Sequence, residues 1–105
     1  MRLLFWLLVG HLIADYPLQT DFIARGKSRR MEPQIVPWYY IFLAHAATHG
    51  AAVCLATGST VLGTAEIACH FVIDWLKCEG LTNIHADQFL HWICKLAWWW
   101  VCTAT

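Results

Sequence analysis

The chain has 105 residues, of which 59% are hydrophobic and only 13% are charged, and its formal net charge is zero with neutral histidines. Ordinary soluble domains carry roughly 25% charged residues, so this composition is unusual for a small soluble globule. No basic excess indicates nucleic-acid binding, and we expect no nucleic-acid partner. The length allows one domain, and the composition predicts an all-α fold: a polytopic membrane protein built as a four-transmembrane-helix bundle whose partner is the lipid bilayer.

Four helices of roughly 20 residues, close to the length that spans a bilayer, are predicted along the chain. Pro17 lies inside the first and should kink it, because proline lacks a backbone donor. A basic loop follows, and two prolines, a Gly-Ser-Thr turn and a Glu-Gly pair then separate the remaining helices. The predicted helices cover residues 2–24, 35–57, 61–78 and 85–105 of a single domain, 1–105.

The basic residues predict how these helices are oriented. Arg25, Lys27, Arg29 and Arg30 lie between the first and second helices, and Lys77 lies near the third connection. Cytoplasmic loops of membrane proteins carry an excess of lysine and arginine. We therefore predict a multi-pass protein of the inner (cytoplasmic) membrane, with both termini outside.

Each predicted helix also carries two potential metal ligands four residues apart. This spacing places both side chains on one face of a helix, one turn apart. Ionisable groups are costly in apolar helices, so one pair on every helix indicates a shared polar site inside the bundle. The pairs are His11/Asp15, His45/His49, His70/Asp74 and Asp87/His91.

Imidazole and carboxylate groups are good ligands for divalent metals. Zinc is the favoured ion, with manganese or iron as alternatives, and the eight paired residues are the predicted ligands or general bases. Helical bundles that point such groups inward can build two-metal sites, which activate water for hydrolysis. Gln19 and Lys77 are predicted to support the ligands or to contact a substrate.

Two interpretations without metal compete with this one. The polar residues could form a metal-free hydrogen-bonding or proton-relay network, or they could simply hold the helices together by interhelical hydrogen bonds. The five cysteines are scattered and form no disulfide framework. We expect them to be small buried apolar residues, with Cys69 or Cys94 as the alternative metal ligand.

A separate ion pair is predicted between Glu66 and Lys95. Glu66 lies eight residues before Asp74, and Lys95 lies eight residues after Asp87. In an antiparallel pair of helices, both charges are then about 12 Å from the level of the two aspartates and meet at similar depth. Pairing would neutralise two charges that are costly in a membrane. The competing role for Glu66 is a further metal ligand.

Four segments, GHLIADYPLQTDFIARGKSR, AHAATHGAAV, ACHFVIDWLK and ADQFLHWICKLAW, together resemble the domain-of-unknown-function 3307 family of small bacterial and phage membrane proteins. The resemblance covers nearly the whole chain, and Tyr16-Pro17 is a mild departure from its pattern. It implies a membrane location and no established activity. The matching residues are His11, Asp15, Gln19, Thr20, Asp21, Lys27, His45, His49, Gly50, His70, Asp74, Lys77, Asp87, Gln88 and His91.

Two functions follow as hypotheses, and neither identifies a substrate. The first is an integral membrane protein with a buried His/Asp metal site, as in a metal-dependent hydrolase acting at the cytoplasmic membrane face. The second is a non-enzymatic membrane module for metal or proton transfer, or a phage or bacterial interaction protein, that uses the polar network for assembly as a homo-oligomer. A soluble metal-binding bundle is the third alternative, which the uncharged stretch 33–65 disfavours.

Overall fold

Four long helices and one short helix, within the residues that the structure describes, surround a polar interior. The computed structural model describes residues 2–104, and these contain helices and no strands. The helices are α1 (Arg2–Asp15), α2 (Asp21–Gly26), α3 (Trp38–Thr57), α4 (Thr60–Cys78) and α5 (Ile84–Ala104). Helices α1 and α4 each contact both α3 and α5, so the long helices close a ring, and α2 lies against α3.

The helix predicted over residues 2–24 is in fact two helices, because α1 ends at Asp15, two residues before Pro17, and α2 begins only at Asp21. The amide of Leu18 donates to the carbonyl of Ile13 at 3.1 Å in the turn that follows α1. Thr20 is the N-cap of α2, its hydroxyl accepting a hydrogen bond from the Ile23 amide at 3.3 Å. A good N-cap three residues after a proline favours a new helix over a kinked one.

The other helix ends follow local sequence signals. Helix α3 begins at Trp38 and not near residue 35, because Pro37 disfavours helical geometry at the residue before it. Gly58 ends α3 with φ of 73°, and Gly80 follows α4 with φ of 80°, a conformation that glycine adopts at no steric cost. The Ser59 hydroxyl caps α4, and the Asn83 side chain accepts a hydrogen bond from the α5 backbone at 2.8 Å.

Two glycines allow α3 and α4 to approach closely. A Cβ atom added at Gly50 would lie 2.8 Å from the carbonyl oxygen of Gly63, and one added at Gly63 would lie 2.9 Å from the carbonyl oxygen of Gly50. No side chain fits at such a distance without moving a backbone. The contact brings the α3 residues next to Gly50 against α4, and His49 is among them.

The distribution of polarity is the reverse of that in a soluble domain. Among the described residues, twelve polar or charged residues are buried but only seven apolar ones, while large apolar side chains such as Leu55 (86% exposed) and Val61 (75% exposed) lie on the outside. Water-soluble proteins bury apolar side chains and rarely bury charged ones. One described helix, α3, is long and apolar enough to cross a membrane by length and composition.

Candidate metal centre

Five histidines from the four long helices meet in the middle of the bundle, and each is at most 2% exposed. The rings of His49 and His70 stack with centroids 3.8 Å apart, and those of His70 and His91 stack at 4.3 Å. His11 lies 5.1 Å from the His49 ring and 5.2 Å from the His91 ring. His45 completes the cluster, with its ring 4.9 Å from both His49 and His70.

Asp15 lies beside these imidazoles and is 7% exposed. Its Oδ1 is 2.9 Å from His49 Nε2 and 3.4 Å from His45 Nε2. Its Oδ2 is 3.4 Å from His11 Nε2 and accepts a hydrogen bond from the Gln88 side-chain amide at 2.8 Å. Among the described residues, no lysine or arginine forms an ion pair with this carboxylate.

Two overlapping sets of side chains are arranged so that they could hold a metal ion. In the first, the ligand atoms of Asp15, His45, His49 and His70 all lie within 4.8 Å of one another. In the second, the same holds for Glu66, His70 and His91. His70 belongs to both sets, which therefore adjoin.

The hydrogen bonding of the histidines fits a metal. Both ring nitrogens of His70 and of His91 are buried without a hydrogen-bond partner among the described residues, as are Nδ1 of His11 and of His49. Buried polar atoms normally have a partner, and leaving one unpaired costs roughly 1–3 kcal/mol. A metal ion takes up the lone pair of an imidazole nitrogen, so ligation would satisfy several of these atoms at once.

Two of the predicted ligands, Asp74 and Asp87, are instead bound to lysines. Lys27 Nζ lies 2.7 Å from Asp74 Oδ2, and Lys77 Nζ lies 3.3 Å from Asp74 Oδ1 and 3.5 Å from Asp87 Oδ2. His70 Nε2 is more distant from Asp74, at 3.7 Å, whereas His91 Nε2 lies 3.3 Å from Asp87 Oδ1 without forming a hydrogen bond. Both aspartates therefore border the cluster without belonging to either set.

The remaining predicted residues lie at the periphery of the cluster. His11 is also outside both sets, and its Nε2 lies 3.0 Å from Gln88 Oε1. Gln19 does not reach the Asp15 carboxylate: its amide nitrogen donates to the Asp15 backbone carbonyl at 3.1 Å, and its oxygen accepts from Lys27 at 2.6 Å. Lys77 contacts the aspartates Asp74 and Asp87 described above.

Glu66 and Lys95 form a buried ion pair, with Lys95 Nζ 2.5 Å from Glu66 Oε1. The second carboxylate oxygen accepts a hydrogen bond from the indole nitrogen of Trp98 at 2.6 Å. Glu66 and Lys95 are at most 1% exposed. Both oxygens of Glu66 are thus occupied, although the same carboxylate adjoins His70 and His91.

Three residues of the site lie outside the sequence prediction, namely Lys27, Gln88 and Trp98. Lys27 belongs to the predicted basic loop and Trp98 to the last predicted helix, and both donate to buried carboxylates. Gln88 bridges His11 and Asp15. Lys27 and Gln88 both occur in the motifs that carry the family resemblance, which was the available signal. The cysteines are free, and neither set includes one.

An exposed ion pair joins two loops at the end of the bundle where Lys27 lies. Arg29 and Glu79 form a two-point contact, and Arg30 donates to the Glu79 carbonyl at 2.7 Å. The Arg29 guanidinium holds the pKa of Glu79 below its ordinary value. The loops following α2 and α4 therefore meet at the same end, as expected for helices that alternate in direction.

The fold and the site define an all-helical protein with a buried His/Asp cluster that could hold a metal ion. The chain belongs to the family described as protein of unknown function DUF3307, whose family model matches residues 3–105. No curated protein matches the chain, and no solved structure does.

Proposed function

We propose that the chain is a multi-pass protein of the inner membrane that holds one divalent metal ion at Asp15, His45, His49 and His70. The observation that carries the proposal is the Asp15 carboxylate, which lies among imidazoles with no lysine or arginine paired to it in the described part of the chain. An unpaired buried carboxylate is strongly unfavourable, and a cation bound there removes the cost.

The charges of the whole interior support the same conclusion. The described interior contains four carboxylates, and three ammonium groups contact three of them, which leaves a formal charge of −1 with neutral histidines. The residual charge belongs to Asp15. A protonated imidazole is the metal-free alternative, but it would leave the unpartnered nitrogens of the other histidines unsatisfied. A divalent ion offsets this negative charge, leaving a formal charge of +1, and also takes up a lone pair from each of its histidine ligands.

The composition of the ligand set favours zinc. Three imidazoles and one carboxylate are ligands that zinc binds well, and four ligands match the coordination number of zinc in structural sites. Manganese and iron accept the same groups and are the alternatives.

The reversed polarity of the bundle supports a membrane location. The apolar exterior suits lipid, and the long axis of 46 Å is comparable with the roughly 40–45 Å of a bilayer including its headgroups. Most of the ionisable residues of α4 and α5 are buried in the interior, namely Glu66, His70, Asp74, Asp87, His91 and Lys95. Ionisable residues in membrane proteins characteristically face the bundle interior.

The closed geometry favours metal binding or transfer over hydrolysis. The four ligands are at most 7% exposed, whereas a hydrolytic metal needs a coordination position open to water and substrate. Hydrolysis is the second candidate, and the observation that favours it is Lys77, whose side chain is 23% exposed next to the cluster. A lysine at that point could receive an anionic substrate if the bundle opened.

The test is the metal content of the protein purified in detergent, with two matched pairs of variants. Asp15→Asn and His49→Ala remove proposed ligands, whereas Asp21→Asn and His85→Ala make the same changes at exposed positions. We expect about one bound zinc in the wild type and in both controls, and loss of zinc in both ligand variants. A wild type that contains no metal, and whose stability a chelator does not change, would refute the proposal.

A phosphate-ester and an ester substrate added to the zinc-loaded protein separate the two candidate functions. Turnover that disappears in Asp15→Asn would favour the hydrolase. Zinc binding without turnover favours the metal-binding module.

A further inference from the structure

We infer that Glu66, His70 and His91 form a second cation site, and that the Lys95 ammonium fills it, which restricts the bundle to one metal ion. The inference rests on the proposed function for the nature of the cation, zinc. It concerns different residues, apart from His70, and a different question, namely why a scaffold with two ligand sets would hold one metal.

The geometry of the second set is that of a metal site. The ligand atoms of its three residues lie within 4.8 Å of one another, and every residue is at most 1% exposed. Both ring nitrogens of His91 and of His70 are buried and have no hydrogen-bond partner among the described residues. Each neutral imidazole has one lone-pair nitrogen, so His91 can offer its own to a cation next to Glu66. His70 can serve both sets at once only as an imidazolate, after its remaining N–H proton has been released to solvent.

Lys95 supplies the positive charge that such a site requires. Its Nζ lies 2.5 Å from Glu66 Oε1, so the carboxylate already has a cation, and that cation is covalently tethered to α5. A lysine ammonium donates hydrogen bonds and accepts none. It can neutralise Glu66 but cannot satisfy the acceptor nitrogens of the histidines, which a metal ion would.

The contrast with Asp15 explains why the first set should bind a metal ion and the second should not. The first set contains a carboxylate without a lysine, and the second contains a carboxylate with one. Binding a divalent ion at Glu66 while Lys95 remains charged would bring two cations to one carboxylate in an apolar interior, which is strongly unfavourable. Removal of the lysine charge should therefore allow a divalent ion to bind at the second set.

The test compares the zinc stoichiometry of the wild type, Lys95→Met and the double variant Lys95→Met/Glu66→Gln, each purified in detergent and titrated with zinc chloride. Methionine keeps the length of the side chain without its charge. The double variant is the matched control, because it lacks the same lysine and also the carboxylate ligand. We expect one zinc in the wild type, two in Lys95→Met, and one in the double variant.

Thermal unfolding in chelator and in excess zinc gives a second readout that does not depend on counting bound zinc. Lys95→Met leaves Glu66 unpaired, so it should be destabilised in chelator and recovered by zinc to a greater extent than the wild type. The double variant should show only the zinc response of the wild type.

Each outcome is decisive. One zinc in both wild type and Lys95→Met overturns this inference and leaves the proposed function intact. Two zincs in the wild type overturn it as well, since Lys95 would then exclude nothing. A Lys95→Met chain that zinc fails to recover also contradicts it. No zinc in the wild type but one in Lys95→Met supports the second site and refutes the first.

Discussion

The buried pair of Glu66 and Lys95 should contribute a large coupling free energy to the stability of the metal-free protein. The test is a double-mutant cycle of Glu66→Gln, Lys95→Met and the combination, measured in chelator so that no metal replaces the lysine. Removing one member of a buried pair leaves an uncompensated charge, which costs roughly 3–5 kcal/mol. A charged side chain at the centre of a membrane helix costs a similar amount, about 2.5–3.5 kcal/mol.

The contacts of each side chain indicate how much of this free-energy cost each variant should show. Lys95→Met leaves the Glu66 carboxylate with the Trp98 indole as its remaining hydrogen-bond donor, so its cost should be near the upper end. Glu66→Gln keeps an oxygen that can accept from the same indole, although it leaves the ammonium unneutralised. The double variant has no charge at this pair and should be about as stable as the wild type, so the coupling free energy should exceed about 3 kcal/mol.

Denaturation in mixed micelles, followed by the tryptophan signal, measures the four free energies of unfolding. The exposed pair of Asp21 and Arg25, whose side chains are 82% and 69% exposed, serves as the control cycle. Its coupling should be only about 0.3–0.5 kcal/mol, as for other exposed i,i+4 pairs. Additive effects of the Glu66 and Lys95 substitutions would show that the pair is hydrated or absent, and would refute the reasoning.

Three further outcomes are expected. Gly63→Val should separate α3 from α4 and lower the unfolding temperature strongly, because its Cβ would lie 2.9 Å from a backbone oxygen, whereas Gly10→Ala, with 3.5 Å to the nearest atom, should be tolerated. Lys27→Met should cost about 1.5–3 kcal/mol of stability because it breaks hydrogen bonds to a charged, buried group, and Arg25→Met should cost far less. The pKa of Glu79 lies below its ordinary value of 4.5, so its ion pair stabilises the fold above pH 4.5 and is lost as the pH falls through the lowered pKa. The difference in unfolding temperature between the wild type and Glu79→Gln should therefore shrink over that pH range and vanish in stronger acid.

Helical periodicity accounts for the parts of the site that were predictable from sequence. The i,i+4 spacing of His45 and His49 places both rings on one face, and the same rule applies to the histidines of the other long helices. The eight-residue offsets of Glu66 and Lys95 depend only on helix rise and antiparallel direction. Both arguments use regular geometry within a helix or between two adjacent helices.

The roles of the aspartates were not predictable in the same way, because they depend on where a loop folds. Asp74 has the spacing of a ligand, but Lys27, which directly follows the short helix α2, forms an ion pair with it. No periodicity relates positions 47 residues apart across an irregular segment. Asp15, in contrast, forms no ion pair with a lysine among the described residues. Only the three-dimensional structure distinguishes Asp15 from Asp74 in this respect.

For the proposed membrane location, the reversed polarity of the bundle also constrains how the chain would enter the bilayer. In isolation, α4 would bring Glu66, Asp74 and Lys77 into lipid, and each charge would oppose insertion by a few kcal/mol. Lys95 and Asp87 of α5 bind two of these charges, and the short connection 79–83 keeps the two helices adjacent. We therefore expect α4 and α5 to be inserted together as a hairpin, and a chain interrupted between them to remain outside the bilayer core. Assembly of the interior would then be a condition of insertion and not a later step.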